Sequence, residues 1–419
     1  MDGAPTPKVK ERAPLSKIEL IGLVASVMAM TALSIDMMLA ALGDIGADFN
    51  LTNENDRQLV IAVFMFASGA SQLFYGPLSD RFGRRAVFIW SLLGFIAATL
   101  LCVVATAYSL FIAGRILQGV AAAAGRVVAI ALVRDLFRGR EMASIMSMAM
   151  TVSIVSPIIA PSIGQLILFV APWRFVFVVL LIFAGLMLAW VFWRLPETLK
   201  AEDRRPLRFS AIANMLSHYA SYRTAIGYTI GTMCIMASLM AYLTSSQQIY
   251  VDTYGLGAKF PLALGSVAFS VGIAAIANAN LVRRFGTRRL SHSAIIAFAL
   301  INTGNAIYLS LTDGGTLAGY LAFLIAAYFM MGLINSNFSA IVMEPMGKMA
   351  GTASAVYGFA TMTGSALLGG LAGRLYDGTA IPIVTSFAVF GFIGVFSVLV
   401  TERGRLFTEP PGEPAHEAA

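Results

Sequence analysis

The sequence predicts an all-α membrane protein with twelve transmembrane helices arranged as two six-helix pseudo-repeats. Three observations carry this. Of the 419 residues, 58% are hydrophobic and only 12% charged, whereas a soluble domain is about 25% charged. A chain this apolar lacks the polar surface to cover itself in water, while in lipid its apolar side chains can face outward. Apolar windows of membrane-spanning length recur along the whole chain, and basic residues gather in alternate loops between them.

The windows are residues 18–42, 59–78, 86–107, 110–132, 142–170 and 175–193, then 225–250, 260–281, 291–311, 317–338, 349–371 and 381–400. Each is long enough to cross ~30 Å of hydrocarbon at ~1.5 Å per residue. The first exceeds the ~7–15 apolar residues of a cleavable signal core and is followed by further spans, so it reads as a signal anchor.

One set of loops holds Lys8, Lys10, Arg12 and Lys17, then Arg81, Arg84 and Arg85, then Arg134, Arg138 and Arg140. It continues through the basic stretches 194–223 and 283–289 to Lys348, Arg403 and Arg405. The opposite set has Arg57, Arg174, Lys259 and Arg374. The positive-inside rule puts both termini in the cytoplasm, which an even number of spans requires. This distribution also explains the net charge of +7 by topology rather than by nucleic-acid binding.

The expected organisation is a cytoplasmic tail 1–16, a six-helix bundle 17–194, a polar cytoplasmic linker 195–222 with an amphipathic helix near 209–219, a second bundle 223–402 and a tail 403–419. The halves share a motif. Arg81-Phe82-Gly83-Arg84-Arg85 follows the second span, and Arg284-Phe285-Gly286-Thr287-Arg288-Arg289 follows the eighth. A transporter built of two parallel repeats predicts this, with its substrate near mid-membrane between them.

Cys102 and Cys234 fall inside predicted spans and suggest neither a disulfide framework nor metal ligation. The three histidines, His218, His292 and His416, are assigned no chemistry. There is no phosphate-binding loop, zinc-ligand spacing or nucleophile–base set, so neither ATP-driven pumping nor enzymatic catalysis is expected, and no cofactor beyond a proton gradient.

Gly76-Pro77-Leu78-Ser79-Asp80-Arg81-Phe82-Gly83-Arg84-Arg85 resembles the loop signature of the major facilitator superfamily. Arg115, Gln118 and Gly119 fit that superfamily's second motif. Ser156-Pro157-Ile158-Ile159-Ala160-Pro161-Ser162-Ile163-Gly164 is similar to the antiporter motif of proton-coupled drug exporters. Residues 34–42, Arg134-Asp135-Leu136-Phe137 and 172–177 narrow the resemblance to the bicyclomycin/chloramphenicol-resistance (Bcr/CflA) exporters. The chain departs from that group at Met38, Ala40 and Gly43, where Tyr and two prolines are usual, and at Gln165, where a second Gly is common. The resemblance implies a multi-pass protein of a bacterial inner membrane, acting as a monomer, that exchanges a small, partly apolar compound for protons.

Asp36 is the sharpest single residue. A carboxylate inside a span costs roughly 2.5–3.5 kcal/mol on insertion scales, so it should face the bundle interior and either meet a cation or carry a proton. It reads as a proton-coupling group or as half of a structural ion pair. Arg115, expected at similar depth on the fourth span, is its natural partner; the alternative is an Arg that binds backbone carbonyls. Arg126, eleven residues on, points the same way, since ~100° per residue brings it close to three full turns. It lines the inner vestibule or snorkels to the headgroups.

The resemblance makes Gly76, Asp80, Arg81, Gly83, Arg84 and Arg85, beside Asp135, a cytoplasmic gate, a role that opposite charges at one face can fill. Pro157, Pro161 and Gly164 should kink the fifth span. Met37, Met38, Phe64, Gln118, Arg126, Tyr242, Asn335 and Tyr357 are candidates for the substrate cavity. Import by the same fold, and a receptor that has lost transport, remain open alternatives.

Overall fold

In the computed structural model the chain is described over residues 16–137, 141–142, 145, 159–199, 202, 204 and 209–407, excepting the side chains of 209–211 and 347–352. The expected tails, and the part of the fifth window before residue 159, including Pro157, lie almost wholly outside the described residues.

Helix α1 (Lys17–Leu39) opens on a capping box. Ser16 Oγ accepts the Glu19 amide at 3.2 Å, and the Glu19 carboxylate accepts the Ser16 amide at 2.9 Å. After a turn at Ala40-Ala41 the short α2 (Leu42–Asp48) follows. The span therefore breaks here without prolines. Next come α3 (Leu59–Phe82), α4 (Arg84–Val104), α5 (Tyr108–Leu136), α6 (Ile159–Val170) and α7 (Arg174–Arg194). Amphipathic α8 (Phe209–Ala220) lies on the linker. Then come α9 (Arg223–Gln247), α10 (Phe260–Phe285), α11 (Thr287–Leu311), α12 (Leu317–Met343), α13 (Ala350–Gly373) and α14 (Ile381–Thr401).

Among the described residues, eleven helices are long and apolar enough to cross a membrane, and α6 is a shorter apolar helix. Many large apolar side chains face outward, Trp90 at 72% exposure among them. In water this would be a liability; against lipid it is the expected surface.

The helix ends sort by charge. At the basic end Arg194 pairs with Glu19 at 2.8 Å, tying the end of α7 to the start of α1, and Arg223 donates to the Val400 carbonyl. At the opposite end Arg174 pairs with Asp48 at 2.6 Å and donates to the Ala105 carbonyl. α5 packs on α3, α4 and α1; α9 packs on α13, α14 and α12; α3 packs on α13 across the molecule.

Two glycines let backbones touch beside the candidate site. A Cβ on Gly119 (α5) would strike the Phe64 carbonyl, and one on Gly164 (α6) would strike the Met37 carbonyl, next to Asp36. Gly164, like Pro161, is buried on α6, so this part of the antiporter motif provides a close contact with α1.

Candidate functional site

Asp36 lies in the last turn of α1 and is 5% exposed. Arg115, on α5, is 0% exposed. The expected pair between them is not formed. Arg115 Nε donates to the Val60 carbonyl of α3 at 3.0 Å, Nη2 to the Ser34 carbonyl of α1 at 3.1 Å, and Nη1 to Gln118 Oε1. Its guanidinium also lies 4.5 Å from the Phe64 ring centroid. The reason is geometric. Ser34 and Val27 share the α1 face that meets α5, where Val27 touches Gly125. Asp36 lies about 200° round the helix from Ser34, and because α1 ends at Leu39 it sits closer to the opposite end than a span reaching residue 42 would place it. Arg115 thus follows its alternative reading, bracing three helices through carbonyls.

The other cavity candidates divide. Met37, Met38 and Phe64 are buried in helix packing. Gln118 is held between Arg115 and Thr99, donating to Thr99 Oγ1 at 2.9 Å. Tyr242 is also buried: its hydroxyl meets that of Tyr250 at 3.0 Å and its ring lies 5.1 Å from Tyr328. These five do not line open space, because each is committed to a neighbouring helix. Arg126, Asn335 and Tyr357 remain accessible. Asn335 shares its face of α12 with Ser339, one helical turn on, and the Tyr357 hydroxyl donates to Thr232 Oγ1 at 3.1 Å.

Several residues expected at the gate come together, within one segment. Arg84 is buried, with Nη1 2.6 Å from Asp80 and Nε 3.2 Å from Asp135. Gly83 takes φ +96°, and a Cβ there would strike Glu197 of the linker. That carboxylate caps α4, accepting the amides of Arg84 at 2.8 Å and Arg85 at 3.2 Å, as a helix N-terminus favours. The Arg85 guanidinium donates to the Phe192 carbonyl of α7 at 2.9 Å. Arg81 stacks on Phe82, and Gly76 has open space where a Cβ would be. Replacing Arg84 by alanine should cost about 1–3 kcal/mol through the loss of a charged, mostly buried hydrogen-bonding group. Lower thermal stability and faster proteolysis within residues 195–222 would register it.

The motif after α10 is built alike. Gly286 takes φ +77° between α10 and α11, Arg284 stacks on Phe285, and Arg288 pairs with Glu344 at 3.0 Å. Beside it lies a network that sequence reasoning missed. His292 is buried, and its Nδ1 accepts the Phe407 amide at 3.1 Å. Nε2 is then the protonated nitrogen and donates to the Tyr228 hydroxyl at 2.7 Å, which donates to Glu402 at 2.6 Å. A lone histidine near a span end gives no local sign of this.

Also missed was a polar seam at the opposite end, where the segment before residue 195 meets the one after 222. Arg57, 7% exposed, pairs with Asp252. Gln58 donates to Gln248 at 2.5 Å, and Gln248 donates to Asn55 at 2.8 Å. Asn55 donates to the carbonyls of Arg374 at 3.1 Å and Tyr376 at 2.8 Å, and Arg374 pairs with Asp56 at 2.6 Å. A π-helical turn, Gln248–Thr253, carries Gln248 and Asp252 into place; such turns are frequent at functional sites. The available signal was that Arg57 and Arg374 are two of the few cations in the opposite loop set.

A groove of ≈ 890 Å³ between α3, α4 and α5 is mostly apolar, with Tyr75, Phe82 and Trp90 among its walls. It contains none of Asp36, Arg115 or Arg126 and is set apart from the candidate site.

Apolar spanning helices, a buried carboxyl within one span and a polar seam closing one end define a multi-pass membrane transporter. The sequence matches the Major Facilitator Superfamily over residues 23–369, and the chain belongs to that superfamily of transporters, which are not enzymes. It is 30% identical over 410 residues to the MFS-type transporter YdgK of Bacillus subtilis, covering 95% of this chain and 98% of that one. It is 30% identical over 376 residues to a bicyclomycin resistance protein homolog of Haemophilus influenzae, covering 87% and 90%. Against the multidrug resistance protein MdtL of Salmonella typhi it is 27% identical over 371 residues, covering 87% and 91%. These relatives agree with the Bcr/CflA resemblance.

Among solved structures, the xylose transporter XylE of E. coli in a partially occluded inward-open conformation superposes with TM-score 0.70 at 13% identity, covering 92% of this chain and 99% of that one. The human organic anion transporter MFSD10 superposes at 0.64 and 16% identity, covering 92% and 100%. Both share the fold.

Proposed function

We propose that this chain is a proton-coupled exporter of small, partly apolar compounds, built of twelve spans in two six-helix repeats with the basic end in the cytoplasm. The matching Gly83 and Gly286 junctions support the repeat, and the relatives named for bicyclomycin and multidrug resistance support export. The proton gradient supplies the energy, with no cofactor, and a monomer suffices.

The observation that carries the coupling is Asp36. It is the acid within the span-forming part of α1, is buried, and has no ion pair among the described residues. A bare buried carboxylate is costly, so release of its proton has to coincide with access to water or to a cation. In this reading the structure is the inward-facing state, since the polar seam closes the non-cytoplasmic end. Substrate enters from the cytoplasm and favours release of the Asp36 proton to that side, and the loaded bundles rock. The seam parts, and Asp36, close beneath it, meets the outer aqueous phase and takes a proton. Differential affinity of substrate and proton for the two states drives the exchange.

The test is efflux from inverted vesicles or proteoliposomes with an imposed pH gradient. Asp36→Asn should abolish the response to the gradient while leaving substrate binding measurable. Gradient-driven efflux at the parent rate would end the assignment. Drug accumulation in cells with and without the protein separates export from import.

A further inference from the structure

Arg126 combines two properties that seldom coincide. Its side chain is accessible, yet it lies deep in the protein, ten residues before the end of α5. At ~1.5 Å per residue that is about 15 Å from the basic end of the helix. Accessibility together with depth describes a group on the wall of an internal, water-reachable cavity rather than one facing lipid. The helix phase agrees. Arg115 points between α1 and α3, reaching the Ser34 and Val60 carbonyls, and Arg126 lies within about 20° of the same azimuth.

Arg115 spends its donors on carbonyls and Gln118. Arg126 makes no hydrogen bond, ion pair or ring contact among the described residues. Its guanidinium cannot shed its charge and offers five donors in a fixed fork. The accessible polar groups noted on α12 and α13, Asn335 and Tyr357, are neutral. The carboxyl within a span, Asp36, is buried. Among the described residues Arg126 is therefore an accessible positive charge without a partner, and low-dielectric surroundings make it more effective than it would be in bulk water.

We propose that Arg126 is a substrate-recognition residue that selects compounds bearing a carboxylate or another compact oxyanion, and that the cavity disfavours organic cations. A forked guanidinium binds such groups through paired, charge-assisted hydrogen bonds. The proposal rests on the exporter reading and narrows its substrate class. It has an electrical consequence: an anion leaving and a proton entering both move positive charge inward. Exchange is then driven by the membrane potential as well as by the pH gradient, whereas one-for-one exchange of a monovalent cation for a proton would be electroneutral.

The test uses the full-length protein in lipid nanodiscs with carboxyfluorescein, chloramphenicol and ethidium as anionic, neutral and cationic probes. Carboxyfluorescein is expected to bind more tightly than ethidium. Arg126→Ala and Arg126→Gln should each weaken its binding roughly tenfold or more, the loss of a hydrogen bond to a charged group. Arg126→Lys should keep part of the affinity, Arg126→Glu should favour ethidium, and chloramphenicol should change far less in every variant. Unchanged melting temperatures would show that the variants fold.

Carboxyfluorescein binding equally to parent, Arg126→Ala and Arg126→Gln, or a parent that prefers ethidium, overturns the proposal. In proteoliposomes, a potential negative on the side the anion leaves should accelerate its movement; indifference to the potential also overturns it. Arg126-dependent binding without any gradient-driven movement would leave recognition standing and end the exporter reading instead.

Discussion

Substituting alanine for Arg115 should destabilise the protein by about 3–5 kcal/mol, because three charge-assisted hydrogen bonds, each worth about 1.5–3 kcal/mol, and the buried side-chain volume are lost together and only partly add. Its fully buried guanidinium donates to carbonyls of α1 and α3 and to Gln118 Oε1, and packs on Phe64. Truncation leaves a void lined by Phe64, Gln118 and two carbonyl oxygens, so a cavity term adds to the lost hydrogen bonds. Arg115→Lys should recover only part, because an ammonium is a compact charge that cannot reach two helices and a side chain as a planar fork does. Gln118→Leu should cost less, about 1–3 kcal/mol, since it removes one acceptor of the Arg115 guanidinium and the neutral hydrogen bond to Thr99. Thermal unfolding of the detergent-purified protein, followed by size-exclusion chromatography, measures all three. If Arg115→Ala melts with the parent but loses its response to a pH gradient, Arg115 acts in coupling and not as a brace.

The helices were legible because lipid imposes one rule everywhere. Backbone polar groups must be satisfied within a span, so long apolar windows become helices, and α3, α4, α5, α7 and α10–α14 begin and end close to the windows that predict them. The linker helix α8 was legible from its amphipathic pattern, and the Gly83 turn from a motif whose glycine proves necessary for both its φ and the Glu197 carboxylate above it. The direction of Arg115 was not legible. It depends on the break at Ala40-Ala41 and on which face of α1 meets α5, and neither appears in hydropathy. Nor was the burial of Met37, Met38, Phe64 and Tyr242. In a membrane protein apolar and aromatic side chains suit lipid, core and cavity alike, so residue type does not choose among them. Glu197 capping α4 and His292 accepting the Phe407 amide join residues far apart in sequence, where local periodicity carries no information.

The seam at the non-basic end gives the second large effect. Arg57 is nearly enclosed and faces Asp252, 195 residues away on the other segment, while Arg374 faces Asp56. Asp252 is more than a third exposed, so solvent screens part of the attraction and the contribution is below that of a fully buried pair. Removal of the charge still leaves a mostly buried pocket without its cation's hydrogen bonds, about 1–3 kcal/mol. That is enough to shift a two-state equilibrium roughly 5- to 150-fold. Arg57→Glu should exceed Arg57→Ala, because it sets like charges opposite each other and beside Glu54. Spin labels on the exposed Asp44→Cys and Asp377→Cys, one on each segment, read the separation at this end in a background lacking Cys102 and Cys234. The parent should show mainly the short distance, and Arg57→Glu mainly a longer one. The double exchange Arg57→Asp with Asp252→Arg should bring back the short distance. Failure of the exchange to do so, with both proteins folded, would show that the glutamine and asparagine contacts hold the seam and the ion pair only accompanies them.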